Sequence, residues 1–383
     1  MKRREILLAG AALATGGGVA GVLASGKKPK PKQKVQTPAD SLASPNISRN
    51  IRQLQMATSW PKDFPGLGIM PVRFAQAMNQ MSDGLIEVKV AAAGEIVGAL
   101  ECFNATASGG VDMYHAAEYY WQGKSKAFSF FTAVPMGMTA AEIMAWTEFG
   151  GGQELWDELS AGYNVKAFHA GNTGHQTGGW FKKKMNTVED FKGLNMRMPG
   201  LGGEVLKRLG ASAVPLPGGE IFQALQSGNI DATEWVGPWN DYAFGFYREA
   251  PYYYAPGFHE PGAALALGIN LDVWNSFTST EQAIVKFACK AANDSSIAEY
   301  THENGRALKI LKDQHKIEPQ YFSQDIIRAI AKASEDVVGE LSAADSQTRR
   351  IYESYLQARE SYRGWTELGD GQYIRARREG LDG

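Results

Sequence analysis

Apolar and polar residues alternate over 52–60, "RQLQMATSW", the period of two expected of a half-buried strand. The period then lengthens: apolar positions 67, 70, 74, 77, 78 and 81 mark a helix, and "LIEVKVAAA" (85–93) returns to a strand. A strand, helix, strand unit with a helical crossover implies parallel pairing. "ALECFNATASGGVDMYHAAEYYW" (99–121) repeats it, with a helix ending in Gly-Gly and a short strand carrying "VDMYHA". A helical stretch over 139–160 leads to "YNVKAFHA" (163–170) and to the strand-like "WFKKK" (180–184). A second alternating region follows: strand "GLNMRM", helix "GGEVLKRLGA", strand "SAVPL", helix "GGEIFQALQSGNI", strand "DATEW". This alternation predicts an α/β fold.

The last third is helical. Residues 279–313 contain few breakers, and apolar positions 327, 330, 333, 337, 338, 341, 344, 351, 355, 358 and 362 keep a helical period. One continuous helix of about 38 residues would reach about 57 Å. Such a helix must brace two lobes or project toward a partner, and Gly339 is where it would break.

The roughly 335 residues from Ile51 on exceed what one hydrophobic core usually holds, so two lobes are expected. The reading places lobe I in 51–168 plus about 262–290, lobe II in about 169–261 plus 300–340, and a C-terminal helix in about 341–366. The N-terminus is different in kind. "MKRREILLAGAALATGGGVAGVLASG" has a basic start, an Ala- and Gly-rich apolar core and a plausible cleavage point after Ala24, so residues 1–26 read as an export signal. Arg3-Arg4 and the weakly hydrophobic core resemble a twin-arginine signal, and Gly16, Gly17 and Gly18 dilute the run below a membrane span. Residues 27–50, rich in Lys, Pro and Ser, read as a solvated linker. The protein is therefore expected in the periplasm.

A net charge of -2 argues against a polyanion-binding surface, so no nucleic-acid partner is expected. Cys102 and Cys289, far apart in sequence, are expected to be buried and unpaired. The mature chain contains no HExxH, GxSxG or GxxxxGK[ST], and its only GxGxxG match, Gly16 to Gly21, lies in the signal and follows no strand. No catalytic residue is assigned.

One short stretch resists a simple reading. "ATEWVGPWND" (232–241) is too irregular for an amphipathic helix and too polar for a buried strand. It ends the run 194–235, in which Arg197 precedes a small turn, Gly210-Ala211 closes a helix, and "VPLP" leads to Glu220, Phe222, Ala224, Leu225, Gln226, Gly228, Asp231, Ala232 and Glu234. In that order and spacing the run resembles the substrate-binding receptors of tripartite ATP-independent periplasmic (TRAP) transporters. "EWVGPWND", "YYYAPGFHEPG" and "GHQTGG" resemble the branch that binds 2-oxo or 2-hydroxy monocarboxylates with a metal cation. The resemblance implies a two-lobe periplasmic binding protein fold with a hinge, a small carboxylate ligand such as pyruvate or lactate, and membrane permease subunits as partners. The long C-terminal helix adds the expectation of a homodimer.

The chemistry of the residues fits that expectation. Arg197 presents a planar fork of donors matched to a carboxylate, and the resemblance gives it the ligand's carboxylate. Glu234, at the end of a parallel strand, would repel that anion unless a cation lay between them. Gln176, Glu234 and the main-chain carbonyl of Trp235 offer hard oxygens suited to Na⁺ or Ca²⁺, the set the resemblance also implies; a plain Glu234–Arg197 salt bridge is the alternative. Trp235 and Trp239 are expected to wall the ligand, with Trp239 equally able to fill the core. Asn240 is expected at the ligand, Asp241 as a helix cap, Tyr120 as the hydroxyl reaching the carboxylate from the other lobe, and Glu260 as part of the polar shell. The competing reading is a secreted hydrolase with Glu234 as general acid in a Trp-rich cleft.

Overall fold

The computed structural model describes residues 50–381, so the expected signal over 1–26 and, but for Asn50, the linker over 27–50 lie outside the described residues. The chain runs β1 (Arg52–Thr58), α1 (Met70–Met81), β2 (Ile86–Ala91), α2 (Cys102–Ala107), β3 (Met113–Ala116), α3 (Ala140–Phe149), α4 (Gly152–Ala161), β4 (Val165–Asn172), β5 (Gly179–Phe181) and β6 (Asn195–Arg197). It continues with α5 (Gly200–Arg208), β7 (Ser212–Val214), α6 (Gly218–Ser227), β8 (Ala232–Thr233), α7 (Pro238–Phe244), β9 (Tyr252–Ala255) and β10 (Ala264–Asn270). The last elements are α8 (Leu271–Ser276), α9 (Ser279–Asp313), β11 (Gln320–Tyr321), α10 (Gln324–Glu340), α11 (Ser346–Thr366) and α12 (Gln372–Leu381).

The strands form two separate sheets, ordered β2-β1-β3-β10-β4 and β11-β9-β5-β8-β6-β7. Each is the centre of one lobe, and the expected two-lobe α/β architecture is present. In lobe I, β1 pairs in parallel with β2 and β3 as the crossover helices require. β10 departs from that pattern, inserting antiparallel between β3 and β4. Its sequence, "ALALGIN", is buried at every position, and a short continuous apolar run carries no period that separates a strand from a helix. In lobe II, β6 pairs in parallel with β7 and β8, while β5 runs antiparallel to β8 and β9.

Helix α9 joins the lobes. It begins with a capping box between Thr278 and Glu281 and runs 35 residues, about 52 Å at 1.5 Å per residue. Its first half buries Val285, Ala288, Cys289 and Ala292 against the lobe I sheet. Its second half places Tyr300 and Leu311 in a cluster with Trp180, Ile221, Leu225 and Phe246 of lobe II and Trp60, Phe64 and Leu67 of lobe I. Cys102 and Cys289 are buried free thiols in different cores, Cys289 on this helix.

Two expected helices are broken. The stretch 139–160 divides at Gly150 and Gly151 into α3 and α4. The C-terminal stretch breaks beside Gly339, the point named for a break: α10 ends at Glu340, a 3-10 turn occupies Leu341–Ala343, and Asp345 caps α11 by accepting from the Thr348 N–H at 2.8 Å. The break lets one segment serve both lobes. α10 reaches α5 of lobe II through a two-oxygen pairing of Arg208 with Glu340 at 2.6 and 2.7 Å. α11 returns to lobe I, where the Trp146 indole donates to Ser354 at 3.0 Å and the Tyr355 hydroxyl accepts from the Met138 N–H at 2.8 Å. Among the described residues no helix is long and apolar enough to cross a membrane.

Candidate functional site

The carboxyl ends of β1, β3, β4, β6 and β8 all meet at one tight interlobe cavity with a free volume of about 10 Å³. Lobe I supplies Trp60 and Leu67 from the loop after β1, Tyr119 and Tyr120 from the 3-10 turn after β3, and Leu265 from β10. Lobe II supplies Arg197 at the end of β6, Trp235 and Val236 after β8, and Glu260 from the β9–β10 loop, while Thr173 and Gln176 come from the crossover after β4. The position follows from topology, because the open ends of parallel strands leave a crevice between the lobes.

Arg197 lies at the centre, 1 % exposed. Its Nε donates to the Leu216 carbonyl at 3.1 Å, its Nη1 donates to the side chain of Glu234, and its guanidinium carbon sits 4.9 Å from the Trp235 ring centre. A buried guanidinium fixed on its Nε edge by main chain and stacked on an indole has one rotamer, as an anion receptor requires. Burial alone would lower the Arg197 pKa, but Glu234, Tyr120, Tyr119 and Glu260 together raise it. The second oxygen of Glu234 lies 3.2 Å from Nε2 of His259. Burial disfavours the imidazolium, and the hydrogen bond and charge of Glu234 outweigh it, so the His259 pKa is raised.

Gln176 and Glu260 complete the group. The Gln176 amide donates to Glu260 Oε2 at 2.7 Å and to Thr173 Oγ1 at 3.1 Å, and its Oε1 is buried without a partner. Burial, then the charge of Glu234, pushes the Glu260 carboxyl up to about 7. Ligating atoms of Glu234, His259 and Glu260 lie within 4.8 Å of one another. Above them, burial pushes the Tyr120 phenol up to about 12, so Tyr120 is a neutral hydroxyl facing Arg197.

Arg197, Gln176, Glu234, Trp235, Tyr120 and Glu260 are thus brought together from five separate segments of the chain. Trp239 and Asn240, expected at the ligand, do not line this cavity. Both belong to α7, and the helix turns them away: the Trp239 ring packs 5.1 Å from Tyr300, and the Asn240 amide is consumed by Pro65 and Tyr300. Asp241 is not the cap of α7, since Gly237 holds that position. Its carboxylate instead accepts from the Trp180 indole at 2.9 Å and the Val236 N–H at 3.3 Å, folding the "WVGP" loop into shape. Tyr119 joins Tyr120 in the cavity, while Trp121 turns into the lobe I core against Phe103. His259, Thr173, Trp60, Leu67, Val236 and Leu265 were not singled out. Trp60 carried a usable signal, its place at the carboxyl end of the first strand; His259 had only its position beside Glu260.

Residues 56–345 match the family described as bacterial extracellular solute-binding protein, family 7. The chain belongs to that family. A monocarboxylate 2-oxoacid-binding periplasmic protein of Nostoc sp. is 40% identical over 325 residues, 85% of this chain and 88% of that protein. A TRAP periplasmic solute-binding protein of Pseudoalteromonas atlantica T6c, solved with bound sodium and pyruvate, is 40% identical with a TM-score of 0.82, covering 85% of this chain and 99% of that one. Its counterpart from Colwellia psychrerythraea, solved with bound calcium and pyruvate, is 39% identical with a TM-score of 0.82 and the same coverage. The hydrolase reading finds no support in this family or in these relatives, which are solute-binding proteins. This family 7 chain therefore presents a buried, ion-paired receptor cavity at the place where its fold opens between two lobes.

Proposed function

We propose that the protein is the periplasmic receptor of a TRAP transporter that captures a small 2-oxo monocarboxylate, pyruvate in the first instance, together with Na⁺ or Ca²⁺. The observation that carries this reading is the buried Arg197–Glu234 pair with the unpartnered Gln176 oxygen beside it. Arg197 anchors the ligand's carboxylate. With Arg197 already paired to Glu234 and the Glu260 carboxyl beside them, an added carboxylate needs a compensating cation. Gln176 Oε1, a Glu234 oxygen and the Trp235 carbonyl are oxygen donors fitting a hard cation, and His259 orients Glu234 from behind. The cation would supply a positive charge for the keto oxygen. Trp60, Trp235, Leu67 and Leu265 enclose the methyl end. No bond is made or broken; the lobes close by hinge motion and deliver the ligand to membrane permease subunits.

Export by a twin-arginine-type signal and assembly into a homodimer through the C-terminal helix belong to the same reading. Trp365, Leu368, Tyr373 and Ile374, at the end of α11 and in the segment through α12, are 56–74 % exposed, and a second copy would cover them.

The test is calorimetric titration of the mature chain with pyruvate, lactate and a longer 2-oxo acid, with and without chelator and with sodium replaced by choline. Pyruvate is expected to bind, and Arg197→Lys to weaken it by roughly 10- to 100-fold, the loss of a charge-assisted bidentate pair. Undiminished affinity in Arg197→Lys would remove the anchor, and indifference to chelator and sodium would remove the cation.

A further inference from the structure

Asn240 and Trp239 lie in the stretch that the sequence marked as functional, yet neither touches the cavity. Asn240 is fully buried, and its side-chain amide bonds two elements outside its own helix. Its Nδ2 donates to the Pro65 carbonyl of lobe I at 2.9 Å, and its Oδ1 accepts from the Tyr300 hydroxyl of α9 at 2.7 Å. Its own helix, α7, is part of lobe II. The main-chain N–H of Trp239 donates to Asn304, also on α9, at 3.0 Å.

The lobe I side is shaped to meet this group. In the loop after β1, the Phe64 ring stacks on Phe244 of α7 with centroids 4.3 Å apart and meets Trp235 edge-on at 6.4 Å. Gly66, at φ +67, lies so close that a Cβ would come 2.5 Å from the Tyr300 hydroxyl and 2.9 Å from the Trp239 ring. The next residue, Leu67, lines the cavity, and Trp60 at the start of the loop is tied to lobe I by its indole N–H, which donates to His115 at 2.8 Å. One loop therefore both walls the ligand and docks on the opposite lobe.

We propose that Asn240 is a positioning residue that pins the loop 64–67 of lobe I onto α7 of lobe II, and so sets how long a closed receptor retains its ligand. The pin is a direct interlobe hydrogen bond, so it is made only when the lobes are together. Interactions present only in the closed state slow release and leave the encounter of ligand with the open state unchanged. Ligand recognition itself stays with Arg197 and its neighbours, and the choice of pyruvate as ligand rests on the function proposed above.

Two variants approach the contact from opposite sides: Asn240→Asp removes the donor to Pro65, and Gly66→Ala blocks docking of the loop. Stopped-flow pyruvate release and association are measured for both, together with the distance between spin labels placed on exposed positions of the two lobes, without ligand and with it. The expected result is release faster by about 10-fold, the worth of one buried hydrogen bond, with association changed less than about 2-fold, and a label distribution shifted to longer distances. Unchanged release and unchanged distances in both variants, each melting as the parent does, overturn the pin. Equal changes in association and release also overturn it, because they place Asn240 in recognition. Failure of the parent protein to bind pyruvate overturns the functional reading alone, since the ligand-free label distances still decide whether the two residues hold the lobes together.

Discussion

Glu118 sits in the lobe I core, fully buried, where it accepts the Tyr114 hydroxyl at 2.5 Å and, through its main-chain N–H, donates to Thr132 at 2.7 Å. It immediately precedes Tyr119 and Tyr120, so it anchors the turn that presents them. Burial pushes its carboxyl up to about 8, whereas in the unfolded chain it titrates near its ordinary value of 4.5. Between these values the unfolded state releases a proton that the folded state keeps, so the Glu118 contribution is fully present below pH 4.5 and is lost as pH rises toward 8. Denaturant melts of the parent should therefore show a falling term of up to about 1.4 kcal/mol per pH unit that Glu118→Gln lacks. Identical pH slopes in the two proteins would show that Glu118 is ionised in the fold. The sequence showed "EYYW" as an aromatic run after a strand, and residue type justified Tyr120. It could not show that Glu118 is buried or that Trp121 turns the other way, because the facing of each side chain in a 3-10 turn depends on what packs against it.

At the level of elements, the strands that carry the site are short and held by close backbone approaches. β8 is two residues long, and Gly179 of β5 lies against it at φ +111; a Cβ there would come 2.3 Å from the Thr233 carbonyl oxygen. Backbone strain and collision act together at this position. Gly179→Ala is expected to destabilise the protein by more than about 2 kcal/mol and to weaken ligand binding, since Thr233 precedes Glu234. An unchanged urea midpoint would contradict this account. The elements with a clear period were legible, β1, α1 and β2 among them, and α9 was legible from its lack of helix breakers. Strand β9 and strand β10 were not, because "YYYA" and "ALALGIN" carry no alternation, and antiparallel insertion into a parallel sheet is a choice of topology. The C-terminal helix kept its period across Leu341–Ala343, so the pattern ran straight through a break that packing on two lobes imposes.

For the whole molecule, α9 and the α10–α11 pair cross between lobes, leaving the cavity as the place where the lobes face each other through small polar groups and aromatic rings. The tail beyond Thr366 has no such task in one copy: Leu368, Tyr373, Ile374 and Leu381 are exposed, the last at 79 %. If they are a dimer seam, deleting residues 367–383 should convert a dimer into a monomer by light scattering while pyruvate affinity is retained. A monomeric full-length chain, or a truncated chain that stays dimeric, would refute the seam.

The sequence by itself determined the α/β class, the two-lobe plan, the family motif around Arg197 and the chemistry available to a small anion, because periodicity, chain length and side-chain type are local properties. Only the tertiary structure decided which members of "ATEWVGPWND" face the cavity. Trp235 enters it, Asp241 folds the loop beneath it, and Asn240 and Trp239 turn to the other lobe and to α9. The physical reason is that facing is set by the direction in which α7 leaves the sheet and by the partners waiting there, Pro65, Tyr300 and Asn304, which are distant in the chain and adjacent only in the folded molecule.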